Sequence, residues 1–259
     1  MPMIRLDKFI SERTEFSRSQ IKQLTAKGTV SVNGNTVKKS DLKIDSDTDS
    51  VSVQGRLLSG AKHKYILLNK PQGYVSSTES TEGPSVLELI PPEIRTKGMF
   101  PAGRLDKDSI GALLITDDGE LAHRMLSPKS HIPKIYIVKL ARPYESKYVD
   151  IFKKGIKLAD GETCLPAEVK SSEYCDKLAF VQLYEGKYHQ VKRMFAAVGN
   201  HVEILMRFSL GSLVLPEKLA LGECMELLHK DVENLFVQPV FERICADFPE
   251  VFSANLINI

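Results

Sequence analysis

The sequence has no tryptophan, only four cysteines and no run of about 18 consecutive apolar residues. The cysteines form no close CxxC pair, which argues against a structural zinc site and favours free thiols in a reducing cytosol. Their positions are Cys164, Cys175, Cys224 and Cys245. The lack of a membrane-length apolar run and of a signal-peptide core predicts a protein that binds no membrane and works in the cytoplasm.

An excess of charge of one sign is also missing, because 35 Lys and Arg stand against 33 Asp and Glu. The net charge therefore says little about a polyanionic partner. Its distribution says more, since residues 1–39 contain eight basic side chains and only three acidic ones. We expect this end of the chain to meet phosphate groups.

Capping and turn residues predict a small N-terminal unit of two helices followed by a hairpin. Ser17 and Gln20 have the spacing of a capping box, so a helix is expected over Arg18 to Lys27, with Gly28 in a left-handed conformation after it. Asn33-Gly34, between two short β-prone segments, is a strong signal for a type I′ hairpin turn.

The pattern of elements predicts two domains. We place a small N-terminal domain at residues 1–58, a flexible linker at 59–64, a catalytic domain at 65–235 and a C-terminal tail at 236–259. The second domain mixes strand-like and helical segments without a regular βαβ repeat or a Gly-rich phosphate loop. This favours an α+β fold with a mixed, mainly antiparallel sheet over a doubly wound nucleotide-binding fold.

One carboxylate stands out in the second domain. Asp106 ends the segment Gly103-Arg104-Leu105-Asp106 and precedes the apolar run Ala112 to Ile115. Between Arg104 and Lys107 it is favourably placed to stay ionised and to act as a nucleophile. An Asp in a Gly-containing loop is otherwise a turn or capping residue, so the local pattern leaves both interpretations open.

Basic residues mark a second segment, where a turn leads into a predicted helix that ends near Gly199. Helical spacing places His189, Lys192 and Arg193 on roughly one side, which concentrates positive charge there. A helix face that only meets solvent is the alternative. Tyr136, at the start of another predicted strand, is by itself an ordinary core residue.

Signatures of metal and serine-hydrolase chemistry are missing from the sequence. It contains no HExxH pair, no clustered carboxylates near its histidines and no GxSxG elbow. We therefore expect no bound metal ion.

Several segments, in order, resemble the pseudouridine synthase family that modifies small-subunit ribosomal RNA. These segments are Leu68 to Val75, Gly103 to Asp106, Gly111 to Leu121, Lys134 to Tyr136 and Glu185 to Asn200. The N-terminal region is similar to the small RNA-binding module called the S-four domain. This second similarity is carried by Arg5 to Phe9, Ser17-Arg18 and Gly28 to Gly34.

The resemblance implies roles for individual residues. Asp106 is implied as the catalytic residue, Tyr136 as the residue against the target base and Lys192 as the cation facing the carboxylate. The sequence leaves open whether Lys192 or the adjacent Arg193 makes this ion pair. The implied substrate-binding residues are Arg104, Arg193, His189, Gln190 and Lys70. The implied RNA-binding residues of the N-terminal module are Arg5, Lys8, Arg18 and Lys22.

The resemblance also implies a reaction, in which one uridine of small-subunit ribosomal RNA becomes pseudouridine without a cofactor. We expect a cytoplasmic monomer that acts on rRNA in a small-subunit assembly intermediate. Large-subunit rRNA is the alternative substrate, and a noncatalytic RNA-binding assembly factor is the alternative class. A nucleoside hydrolase or glycosylase is disfavoured, because the calcium-type carboxylate cluster that such enzymes commonly need is missing.

Overall fold

A computed structural model describes residues 3–46, 48–58, 63–127, 130–250, 252 and 256. The chain divides into two compact units. One comprises Met1–Lys64, Ile90–Phe100 and Thr116–Asp118, and the other comprises Tyr65–Leu89, Pro101–Ile115 and Gly119–Ile259. Residues 59–62 of the expected linker lie outside the described residues, as do 251, 253–255 and 257–259 of the expected tail, so the flexible linker stays a prediction.

The described residues of the first unit form two short helices and six short strands. They are β1 (Met3–Arg5), α1 (Leu6–Ser11), α2 (Arg18–Ala26), β2 (Val30–Val32), β3 (Asn35–Thr36), β4 (Lys43–Asp45), β5 (Val51–Val53) and β6 (Arg56–Leu58). Strands β1 and β4 form an antiparallel pair, and the others form a sheet in the order β3-β2-β5-β6. Buried side chains from both helices and from the sheet make one apolar core, which fixes the helices on the sheet.

The capping and turn signals are confirmed in this unit. The Ser17 hydroxyl accepts a hydrogen bond from the Gln20 amide at 3.3 Å, and the Gln20 side chain accepts one from the Ser17 amide at 2.8 Å. Helix α2 ends at Ala26, one residue before the expected end, and Gly28 has φ 74°. Asn33 and Gly34 both have positive φ, as a type I′ turn requires.

The second unit contains most of the long elements. The strands of the large sheet are β7 (Tyr65–Lys70), β8 (Phe100–Ala102), β9 (Ile110–Thr116), β10 (Lys134–Leu140), β11 (Glu168–Ser171), β12 (Leu178–Leu183), β13 (Val202–Leu210), β14 (Leu213–Val214) and β15 (Cys224–Glu226). The helices are α3 (Gly119–Leu126), α4 (Tyr148–Lys153), α5 (Gln190–Ala197), α6 (His229–Glu233) and α7 (Phe241–Ala246). Val86–Leu89 and Asn234–Phe236 are 3-10 turns.

In the described part of the chain these strands form one nine-stranded sheet. Its main order is β11-β12-β10-β13-β9-β7-β15, with β14 on β13 and β8 on β9. Strands β9 and β13 run parallel, and β10 is antiparallel to both β12 and β13. The predicted α+β class with a mixed, mainly antiparallel sheet is confirmed. Across the described ranges the helices are too short or too polar to span a bilayer.

A glycine permits the close parallel pairing of β9 with β13. Gly111 has φ 102° and faces Arg207, and a Cβ atom at this position would lie 2.3 Å from the Arg207 carbonyl oxygen. Any side chain would therefore push the two strands apart. The pairing matters for the site because the loop that precedes β9 carries Asp106.

Helix α5 is held in place by aromatic packing. Phe195 contacts Tyr148 and Phe152 of α4, with ring centroids 5.9 and 5.1 Å apart. All three side chains are buried. These contacts fix α5 so that its N-terminal residues reach the loop that carries Asp106.

Candidate active site

An open cleft of about 480 Å³ lies in the second unit and brings together the segments that the sequence singled out. It is lined by the loop before β9, by the start of β10, by β13 and by the loop that leads into α5. The residues of interest along its wall are Arg104, Asp106, Lys134, Tyr136, Tyr188, His189, Gln190 and Arg207. Segments distant in sequence thus converge on Asp106.

The loop that carries Asp106 is fixed from behind by a buried lysine. The Lys70 side chain is fully buried, and its ammonium donates hydrogen bonds to the carbonyl oxygens of Asp106 at 3.0 Å and Ser109 at 2.8 Å. It also donates to the carbonyl of Pro71 at 3.1 Å. Burial lowers the pKa of Lys70 to about 8. Lys70 was expected to contact substrate, but its ammonium group donates its hydrogen bonds to backbone carbonyls beneath the loop that carries Asp106.

A histidine and a lysine side chain approach the Asp106 carboxylate without a direct hydrogen bond. His189 Nε2 lies 3.6 Å and Lys192 Nζ lies 3.8 Å from Asp106 Oδ2. The Asp106 side chain is 29% exposed, so it is open to a substrate in the cleft. The site therefore offers a carboxylate that lies near a lysine ammonium and an imidazole but still has its oxygens available.

Lys192 makes its closest contacts with a second carboxylate, which the sequence did not predict. Its Nζ lies 2.6 and 2.7 Å from the two side-chain oxygens of Asp108. Partial burial alone would raise the pKa of Asp108, but the hydrogen bond and the charge of Lys192 bring it below its ordinary value. The only signal in the sequence was the spacing of two residues from Asp106.

Arg193 points away from this pair of carboxylates. Its guanidinium bonds Asp160 and Glu162, the latter at 3.3 Å, and donates to the Tyr188 carbonyl at 3.1 Å. Of the two adjacent cations, Lys192 therefore stands next to Asp106. The basic helix face expected from the sequence is divided, because acidic side chains on two sides attract its long side chains in different directions.

The loop before α5 is closed by Gln190. Its buried side-chain amide donates to Glu185 at 2.6 Å and accepts a hydrogen bond from the Lys187 amide at 2.9 Å. The contacts of Gln190 are thus with its own loop. His189, the N-cap of α5, has φ 47°, a left-handed conformation that is uncommon for a non-glycine residue.

The floor of the cleft is formed by facing residues of β10 and β13. Tyr136 is directly opposite Arg207 in the antiparallel register, and Lys134 lies two residues before it on the same face of β10. The Arg207 guanidinium donates to the carbonyl of Ala112 at 2.8 Å and of Arg104 at 3.3 Å. Burial, and secondarily the charge of Arg207, lowers the pKa of Lys134 to about 8. The sequence alone predicted no role for Lys134 or Arg207.

The basic residues predicted to bind RNA lie in the first unit. Arg18 and Lys22 are exposed one turn apart on α2. Lys8 is 3.8 Å from Glu12, and Arg5 bonds both oxygens of Asp7. Arg18 and Lys22 are therefore the more available pair for phosphate contacts.

Two family models match the chain. The RNA pseudouridylate synthase model matches residues 64–197, and the S4 domain model matches residues 4–49. In the part of the chain that the structure describes, no group of three or more His, Cys, Asp and Glu side chains is arranged to hold a metal ion.

Curated relatives and a solved structure cover nearly the whole chain. Ribosomal small subunit pseudouridine synthase A of Haemophilus influenzae is 39% identical over 234 residues, which are 90% of this chain and 98% of that protein. The protein of the same name from Pasteurella multocida is 39% identical over 231 residues, covering 88% and 98% of the two chains. A crystal structure of a pseudouridylate synthase has a TM-score of 0.62 at 38% identity and covers 90% of this chain and 99% of its own. The chain therefore belongs to the RNA pseudouridylate synthase family and combines that enzyme's fold with an S4 domain.

Proposed function

We propose that this enzyme converts one uridine of small-subunit ribosomal RNA to pseudouridine, with Asp106 as its nucleophile. The observation that carries the proposal is the placement of the Asp106 carboxylate in the cleft, 3.6 Å from His189 and 3.8 Å from Lys192. Two relatives named for the small ribosomal subunit, each 39% identical, support the choice of RNA.

The reaction is an isomerisation that consumes no co-reactant. Asp106 attacks either C1′ of the ribose or C6 of the uracil, the N1–C1′ bond breaks, and the ring turns until C5 faces C1′. A C5–C1′ bond then forms, the C5 proton leaves to solvent, N1 takes up a proton and the carboxylate is released. Tyr136 stacks on the ring, and Lys192 supplies positive charge 3.8 Å from the Asp106 carboxylate.

The target has to enter the cleft as an unpaired base. A paired uridine cannot bring C1′ or C6 against Asp106, so the base is flipped out or already single-stranded. Arg104, exposed at the edge of the cleft, is placed to contact the space that the base leaves or a nearby phosphate. Arg18 and Lys22 of the S4 domain add phosphate contacts that do not depend on sequence. We place the enzyme in the cytoplasm as a monomer that acts on a small-subunit assembly intermediate.

Tritium release tests the proposal. Small-subunit rRNA labelled at C5 of uracil, free or in assembly particles, is incubated with the wild type, Asp106→Asn and the control Asp150→Asn, which changes an exposed acid on α4. We expect release by the wild type and the control and none by Asp106→Asn. Tritium release from large-subunit rRNA alone would contradict the proposed small-subunit substrate. Release by Asp106→Asn would contradict the proposed role of Asp106 as the nucleophile.

A further inference from the structure

Tyr188 is an aromatic residue without the burial that such a side chain normally has. It is 75% exposed, the largest fraction among the exposed large apolar and aromatic side chains of the described residues. An exposed ring of this size contributes little hydrophobic stabilisation, because that contribution scales with the area removed from water. Its position therefore calls for an explanation outside the core.

The Tyr188 ring is stacked on a residue of the active site. Its centroid lies 3.8 Å from that of the His189 imidazole, and the two planes differ by 18°. His189 in turn lies 3.6 Å from Asp106 and has the left-handed φ of 47°. Backbone strain of this kind is often retained at ligand-binding sites. The stacked pair thus extends from the reacting carboxylate outward to solvent.

The stacked pair also lines a second cavity. This cavity has a volume of about 390 Å³ and shares Arg104, Asp106, Tyr188 and His189 with the cleft. Its other wall carries small hydroxyl side chains, among them Ser77 and Thr81, together with the charged side chains of Glu79, Glu82 and Lys107. Hydroxyl groups and an exposed arginine are suited to a ribose-phosphate chain. The two rings therefore stand where a strand would leave the site of the target nucleotide.

The backbone beneath the rings is held firmly although Tyr188 itself is exposed. The Tyr188 carbonyl accepts a hydrogen bond from Arg193 at 3.1 Å, and Arg193 is anchored by Asp160 and Glu162. Gln190 closes the same loop from the other side through Glu185. A rigid support under an exposed ring lowers the entropy lost when a ligand stacks on it.

We propose that Tyr188, stacked on His189, is a binding platform for an unpaired RNA base adjacent to the target uridine, with the second cavity receiving the strand. This inference rests on the proposed function, because adjacency is measured from a uridine at Asp106. The ligand is a nucleobase of single-stranded RNA, since an aromatic face binds any base by stacking while the flanking hydroxyls and Arg104 meet the sugar and phosphate.

The test uses RNA nonamers with one central uridine, cytidines elsewhere and 2-aminopurine as its 5′ or its 3′ neighbour. Binding and stacking are followed by the quenching of 2-aminopurine fluorescence. Stacking on an aromatic residue contributes about 1–3 kcal/mol per base, so Tyr188→Ala should raise Kd by about 5- to 150-fold and remove the quenching of one of the two RNAs. Tyr188→Phe, which keeps the ring, should bind within about twofold of the wild type.

Tyr174→Ala is the matched control, because Tyr174 is 44% exposed in the same unit and does not line either cavity. The inference is overturned if Tyr188→Ala binds and quenches like the wild type, if neither RNA is quenched by the wild type, or if Tyr188→Phe loses as much affinity as Tyr188→Ala. Asp106→Asn should keep the quenching while it loses tritium release. If Asp106→Asn still released tritium, the proposed role of Asp106 as the nucleophile would be wrong, but the proposal that Tyr188 binds a base would not be affected.

Discussion

Lys192 Nζ lies within 2.6 and 2.7 Å of the two Asp108 carboxylate oxygens, yet 3.8 Å from the nearest oxygen of Asp106. Asp108 thus takes the direct hydrogen bonds of the ammonium group. Asp106 experiences its positive charge without a hydrogen bond that would occupy the oxygen proposed to attack the substrate. The arrangement places the charge of Lys192 near Asp106 while it leaves the oxygens of this proposed nucleophile available.

Asp108→Asn should lower kcat by about 10- to 100-fold, with a smaller change in KM. Without the second carboxylate, Lys192 is expected to move onto Asp106 and bond the oxygen that has to attack, and displacements of about 1 Å carry rate losses of this size. Steady-state tritium release measures both constants. Asp108→Glu, which keeps the charge, should recover part of the loss, whereas equal losses in the two variants would contradict this account.

Lys192→Met should lower kcat/KM by about 10²- to 10³-fold, the typical result of removing one preorganised charge from a reacting group. Arg193→Met should have a much smaller effect on kcat, because Arg193 bonds Asp160 and Glu162 instead of Asp106. Parallel tritium-release assays compare the two variants. If Arg193→Met were the more damaging in kcat, Arg193 would be the cation that serves the carboxylate.

Gly111→Ala should lower the free energy of unfolding by about 2–6 kcal/mol, or prevent folding. The new Cβ would lie 2.3 Å from the Arg207 carbonyl oxygen, and the residue would have to adopt a φ of 102°. Urea denaturation measures the change. Gly119→Ala is the control, since Gly119 has open space around it, and it should stay within about 0.5 kcal/mol of the wild type. Equal free energies of unfolding for the two variants would contradict the conclusion that Gly111 is needed for the close approach of β9 to β13.

Lys134→Met should be more stable than the wild type at pH 7 and lose this advantage toward pH 10.5. Burial, then the charge of Arg207, lowers the pKa of Lys134 from 10.5 to about 8. Below pH 8 the folded protein bears the cost of keeping a charge on the partly buried Lys134 side chain. Between pH 8 and 10.5 the unfolded chain binds more protons than the folded one, so the Lys134 contribution to the free energy of unfolding rises with pH.

Urea denaturation at pH 7 and at pH 10 measures this difference, with Lys153→Met, an exposed lysine on α4, as the control. Lys153→Met should show no pH-dependent gap from the wild type, because it removes no buried charge. If the free energies of unfolding of Lys134→Met and the wild type differed by the same amount at both pH values, the lowered pKa of Lys134 would be contradicted.

Local sequence alone determined the short-range features of this protein. The capping box of Ser17 and Gln20, the left-handed Gly28 and the Asn33-Gly34 turn depend on contacts within a few residues, so their chemistry can be read directly. The motif around Asp106 was equally visible, because its loop residues precede a fully buried strand. The resemblance added the family and the reaction, which local chemistry could not supply.

Only the tertiary structure decided how the charged side chains are partnered. The family resemblance implied that Lys70 binds substrate, but Lys70 is buried under the loop that carries Asp106. Lys192 and Arg193 are adjacent in sequence and still bond different acids, because the packing of α5 fixes which acids each long side chain can reach. The stacked position of Tyr188 on its neighbour His189 is likewise set by the conformation of their loop. The partners of Lys70, Lys192 and Arg193 come from segments distant along the chain, so no local residue pattern encodes them.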